Sequence, residues 1–151
     1  MASYVKYEVF AGTDLPNKVH DILGTAGSGA DTLKVMLSNT APNVSTHTVR
    51  ADVSELSTAN GYTSGGQSTA NAGVASSGTL TVTGTNVTWT ASGGSIGPFQ
   101  YVILYNDTPT SPADPLIAYW NYGSALTLND GESFTVKFNN GSSSGTMFTL
   151  A

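Results

Sequence analysis

The chain has 151 residues, a net charge of −5 and no cysteine, which suits one domain with a single core and excludes disulfide staples. Charged residues make up only 10%, against roughly 25% in ordinary soluble domains, and Ser, Thr, Asn and Gly take their place, as in Thr-rich strands joined by small polar turns. Arg50 is the single arginine and the lysines stand apart at 6, 18, 34 and 137, so no basic stripe is offered to a phosphate backbone and nucleic-acid binding is not expected.

The N-terminus lacks a basic region followed by an apolar core, and no window approaches about 18 consecutive apolar residues, so neither a secretory signal nor a membrane span is expected. Residues 3–10, Ser-Tyr-Val-Lys-Tyr-Glu-Val-Phe, alternate well enough for an edge strand or an extended arm. Thr13 or Asp14 caps a predicted short helix with Pro16 in its first turn and Leu15, Val19, Ile22 and Leu23 on one side. Gly24 to Ala30 reads as a small-residue linker. The segment 1–30 is therefore an arm or peripheral segment, the alternative being that it is integral to the core, and 31–151 is the main domain.

Thr32–Leu37 predicts a strand with Leu33, Val35 and Leu37 on its core face. Val49–Leu56 is ambiguous between strand and helical turn, and Asn60-Gly61 with Ser64-Gly65-Gly66 marks turns. Leu80 and Val82, then Val87, Trp89 and Ala91, alternate with threonines, and Gly84-Thr85-Asn86 between them reads as a hairpin connection. Tyr101–Tyr105 and Leu116–Trp120 are continuous apolar runs, which predicts strands covered on both faces. Leu126–Leu128, the turn Asn129-Asp130-Gly131, and Phe134, Val136 and Phe138 read as a second hairpin. Met147–Leu150 closes the chain.

This spacing predicts a single-domain, all-β antiparallel sandwich of Greek-key or jelly-roll-like form, with an N-terminal arm or short helix. Its expected core is Leu80, Val82, Val87, Trp89, Val102, Leu104, Ile117, Phe134, Val136 and Phe138.

Candidate chemistry is sparse. Gly93-Gly94-Ser95-Ile96-Gly97 has the form of a nucleophile elbow, but Pro98 and an apolar strand follow where a helix should, and the only histidines, His20 and His47, lie outside the β-rich half. Asn129-Asp130-Gly131-Glu132 offers oxygens around a glycine without the alternating Asp/Asn of a calcium loop, so a turn explains it better. Two histidines without cysteine give no zinc spacing. The Gly24–Gly29 stretch lacks the Lys-Ser/Thr of a phosphate loop. Tyr101, Tyr105, Tyr119, Trp120 and Tyr122 are a candidate sugar-stacking platform, against the alternative of core or subunit contacts. No catalytic residue, cofactor or metal is expected, and the chain reads as a non-enzyme.

Four stretches stand out together: Trp89–Phe99, Tyr101–Asp107, Pro115–Gly123 and Leu126–Phe138, with Asp31–Pro42 and Asn60-Gly-Tyr-Thr-Ser-Gly-Gly66 upstream. Their order and spacing resemble small virion structural proteins of tailed bacteriophages, over most of the chain. The resemblance implies a place on the virion, assembled in the bacterial cytoplasm, and a role as a capsid decoration or cement protein on the capsid exterior. Its implied partner is the major capsid protein, bound by a symmetric oligomer, a homotrimer, with no nucleic acid and no membrane involved. The alternative is a tail, baseplate or fibre-associated domain that binds a host-surface glycan. In such an assembly Tyr4, Val5, Tyr7, Val9 and Phe10 are the candidate partner contacts, apolar enough to add a strand to a neighbour's sheet edge. Otherwise they pair with their own domain.

Overall fold

The computed structural model describes residues 2–22, 30–139 and 143–151. The chain is all-β and sandwich-like, built from antiparallel sheets packed face to face. One sheet has the order β1 (Ser3–Lys6), β8 (Leu116–Leu128), β7 (Ile96–Asn106), β2 (Leu33–Ser38) and β3 (Gln67–Ser68).

The opposing layer is made of β4 (Ala72–Ser76), β5 (Thr79–Thr85), β6 (Val87–Thr90), β9 (Ser133–Val136) and β10 (Ser144–Leu150). Its two ladders run on from one another: Leu80 to Thr85 faces Leu150 to Ser144, and Val87 to Thr90 faces Val136 to Ser133. β5 and β6 therefore form one near-continuous strand, broken at Asn86. The partner strand leaves after Val136 and rejoins at Ser144, and Asn86 anchors the break by donating its N–H to the Ser143 carbonyl and accepting from the Phe138 N–H.

The core forms because strand side chains alternate between faces. Leu33, Val35, Leu37, Val102, Leu104 and Ile117 from the five-stranded sheet meet Val82, Val87, Trp89 and Phe148 from the other, with Leu80, Phe134, Val136 and Phe138 packed at the margin. Every residue of the expected core thus joins one cluster. The intervening residues of the long sheet, Met36, Ile103, Tyr105 and Leu116, point outward but are buried too, beneath Tyr7 and Val53. That second cover is why the runs at 101–105 and 116–120 carry no alternation.

Several sequence expectations need correction. The helical turn lies upstream of its predicted place, as a π-helical turn at Phe10–Asp14, with Pro16 in the turn that follows. Pro16 has no N–H to donate and its ring crowds the preceding carbonyls, and the bonds around it widen to Leu15 N–H to Phe10 and Val19 N–H to Asp14. Gly84 is not a hairpin residue. It sits inside β5, where a Cβ would lie 2.8 Å from the Met147 sulfur and 3.1 Å from the Thr69 side chain, so a larger residue would have to displace those side chains. The turn at Asn129–Glu132 joins β8 to β9 but does not make a hairpin, because β8 stays with β7 while β9 pairs with β6. Val49–Leu56 is neither regular strand nor α-helix but a 3-10 turn, Arg50–Asp52, followed by a bridge from Glu55 to Ser38.

The N-terminal segment is an edge strand rather than a free arm. Ser3–Lys6 pairs with Ala118–Asn121 of β8, and residues 7–22 run across the sandwich beside it. The linker expected at Gly24–Ala30 lies, through Gly29, outside the described residues.

Candidate functional site

Most polar motifs singled out in the sequence take part in the fold's own hydrogen bonding, Ser95 through its backbone while its side chain stays exposed. Ser95 gives its carbonyl to the Asn60 amide at 2.8 Å, while His20 and His47 are engaged elsewhere, at Asn106 and at the Asn43 N–H. Asp130 accepts from the Gly93 N–H at 2.8 Å and Glu132 from the Asn129 N–H at 2.7 Å, so both carboxylates close the turn that passes between sheets. Among the described residues no three His, Asp or Glu side chains gather as a metal site.

The stretch Asn60–Gly66 is architectural. Glu55 sits at its centre, its carboxylate accepting from Arg50 Nε and Nη2 at 3.1 and 2.8 Å, the Tyr62 hydroxyl at 2.7 Å, Ser64 Oγ at 3.0 Å and the Gly65 N–H at 2.5 Å. Tyr62 passes the link on, its oxygen accepting from the Leu37 N–H at 3.0 Å. Burial raises the Tyr62 phenol pKa far above its ordinary value, which keeps it neutral. Gly66 has φ +65° and a Cβ there would stand 1.8 Å from the Val35 carbonyl oxygen. This loop clamps the covering segment onto β2.

A buried polar cluster, scattered in sequence and so invisible to motif reading, joins the N-terminal segment to the ends of β2 and β7. Asn106 donates to Asp31 Oδ2 at 2.5 Å and to His20 Nδ1 at 3.0 Å, which leaves the neutral imidazole proton on Nε2. That nitrogen faces Asp14 Oδ2 at 3.7 Å, too far for a hydrogen bond, and both atoms are buried without partners. Burial pushes the His20 pKa down to about 4, against an upward pull from Asp31, and burial raises that of Asp14. Asp14, His20, Asp31 and Asn106 present almost no side-chain surface to solvent, and among the described residues these four tie the N-terminal segment to β2 and β7.

An open aromatic surface lies on the other side. Between the β1/β8 edge of one sheet and β9 of the other runs a cleft of about 260 Å³, walled by Trp120, Tyr122, Phe134, Val136, Lys137 and Phe138. Tyr4 packs on Trp120 at 5.5 Å and Trp120 on Phe138 at 5.7 Å. Tyr4 and Tyr122 are exposed large apolar residues, Tyr122 by 54%. Exposed aromatics grouped at sheet edges mark an interaction surface more than scattered ones do.

Of the candidate contact residues, Tyr7 and Phe10 are fully buried in the chain's own core, Val5 and Val9 are half-buried, and only Tyr4 is exposed. Tyr7 and Phe10 are therefore closed to a partner in this fold, because the N-terminal strand is already paired with β8. The five-aromatic platform is divided as well. Tyr101, Tyr105 and Tyr119 belong to the outer cluster, whereas Trp120 and Tyr122 face the cleft.

No protein-family model, curated protein or solved structure matches the chain.

Proposed function

We propose that the chain is a non-enzymatic structural protein of a tailed-phage virion, a capsid decoration or cement protein that binds the major capsid protein lattice through the open side of its sandwich. The observation that carries this reading is the aromatic cleft between the β1/β8 edge and β9, where Tyr4 and Tyr122 stand exposed. Backbone edges with apolar side chains between them offer what a lattice partner needs: main-chain pairing plus desolvated contact area. A symmetric oligomer, with a homotrimer as the form the resemblance implies, multiplies a small footprint by holding several capsid subunits at once.

The alternative, a tail-associated domain that binds a host glycan, draws support from the same cleft, since Trp120 and Tyr122 are the ring types on which sugars stack. One experiment separates the two. Tagged protein is mixed with intact particles and expanded empty heads, and bound density is located by electron microscopy. Label on head exteriors, lost in the double variant Tyr4→Asp/Tyr122→Asp, supports the decoration role. Label on tails, competed by host-surface polysaccharide, overturns it in favour of the glycan reading.

A further inference from the structure

Sheet edges are normally defended by charge, proline, brevity, a bulge or a covering segment. Five of the six edge strands among the described residues show such a defence, β6 through its four-residue length and the Gln67 amide that covers its Thr88 carbonyl. β1 ends in Lys6, β3 has two residues, β9 is flanked by Glu132 and Lys137, and β10 carries a bulge between Thr146 and Phe148.

β4 has none of these. Ala72-Gly73-Val74-Ala75-Ser76 carries no charge and no proline, its register with β5 is regular, and among the described residues no strand borders its other side. Val74, 65% exposed, is the most exposed large apolar side chain described. The setting is equally neutral: no charged residue occurs between Leu56 and Asn106 or after Lys137, so β4, β5 and β10 carry no formal charge.

The turn fixes which backbone groups face outward. Ser76 and Thr79 close a two-residue loop, Ser77-Gly78, with φ +51° and +80°, and the closing pair of such a hairpin exchanges both hydrogen bonds. Alternation then directs the N–H and C=O of Ser76, Val74 and Ala72 toward β5. Those of Gly73 and Ala75 point to the open edge.

We infer that β4 is a self-association site, pairing antiparallel with β4 of a second copy about a two-fold axis at Val74. This register is self-complementary. Gly73 lies opposite Ala75 of the second copy on both sides of the axis, which forms four N–H···O bonds, and Val74 meets its own counterpart in a non-hydrogen-bonded pair, where side chains approach closely. Alanine, glycine and serine put no bulk in the way, and each Val74 covers the other. A joint between two five-residue edges buries well under the roughly 1,200 Å² of a stable complex, so free copies pair weakly and copies held on a common surface pair strongly. The pairing does not depend on the virion assignment.

The sequence has no cysteine, which makes cross-linking a direct test. The two-fold sets the Val74 Cα atoms about 4.5 Å apart, inside disulfide range, while Ala72 and its counterpart are separated by four residues of strand, on the order of 13 Å. Under mild oxidation Val74→Cys is expected to form disulfide dimers at least tenfold faster than Ala72→Cys, and Ala72→Cys/Ser76→Cys is expected to cross-link as well. Sedimentation across a concentration series should show wild type in monomer–dimer exchange and Val74→Lys shifted at least tenfold toward monomer, with its melting temperature unchanged. Equal cross-linking of Val74→Cys and Ala72→Cys, or identical sedimentation of wild type and Val74→Lys, overturns the inference.

Discussion

Replacing Glu55 by alanine tests whether the cover of the five-stranded sheet is held by one carboxylate. Its side chain is 9% exposed and serves Arg50, Tyr62, Ser64 and the Gly65 backbone together. Alanine leaves the buried Tyr62 hydroxyl and the Gly65 N–H without that acceptor, and Arg50 with the Ser64 hydroxyl at 3.2 Å and Asp114 at 3.6 Å. Breaking a buried pair from one side costs about 3–5 kcal/mol, and because Arg50 is 29% exposed and reaches water, the lower end, about 3 kcal/mol, is expected. Glu55→Gln keeps the shape and one acceptor oxygen, so about 1–2 kcal/mol is expected. Arg50→Ala should cost less than Glu55→Ala, since the carboxylate retains three other donors. Urea unfolding followed by tryptophan fluorescence measures all three, with Trp89 reporting directly because its ring lies 6.1 Å from that of Tyr62. A Glu55→Ala cost under about 1 kcal/mol, or a larger loss in Arg50→Ala, refutes the hub.

Trp89→Ala is expected to cost about 3–5 kcal/mol by denaturant titration, because the indole is 1% exposed and packs between Tyr62 and Phe134. Deleting residues 1–12 should leave a chain without native circular dichroism, since the loss of β1 and of the buried Tyr7 and Phe10 rivals the roughly 5–15 kcal/mol that holds a domain together. Acid should destabilise the protein below neutrality. The folded His20 pKa is about 4 against about 6.5 unfolded, so the unfolded chain binds the extra proton and stability falls as pH drops from 6.5 toward 4, by at most about 3 kcal/mol. Asp14, with its pKa raised, works in the opposite sense and loses stability as pH rises through the raised value. Asp14→Asn, offering an uncharged partner to His20, should therefore raise the melting temperature at neutral pH.

What the sequence revealed tracks how local each signal is. The paired faces of 101–105 and 116–120 were legible because two-sided burial erases alternation within a single strand. The threonine alternation around Leu80, Val82, Val87 and Trp89 identifies the right inward residues, yet it does not show that these strands pair with β10 and β9 rather than with each other. A tight turn between strands has the same local sequence whether it folds back within one sheet or crosses to the other, as at Asn129–Glu132. Gly84 has the local sequence of a turn, because its close neighbour, Met147, lies far along the chain. The Asn60–Gly66 loop was recognised as turn-forming, but its partners Glu55, Leu37 and Tyr105 come from elements that the spacing does not connect. The same holds for the cluster of Asp14, His20, Asp31 and Asn106, whose members become neighbours only when β2 and β7 pair.

The strand order also dictates when the protein can fold during its own synthesis. β1 must wait for β8, β2 for β7, and β5 and β6 for β10 and β9, each of which follows much later in the chain. Neither layer can close until β8 and β10 respectively have emerged, so folding is dominated by distant contacts that form slowly. In that interval the uncharged stretch from Leu56 to Asn106 is exposed with no electrostatic repulsion between nascent copies, and expression yield should accordingly improve when synthesis is slowed or the temperature lowered.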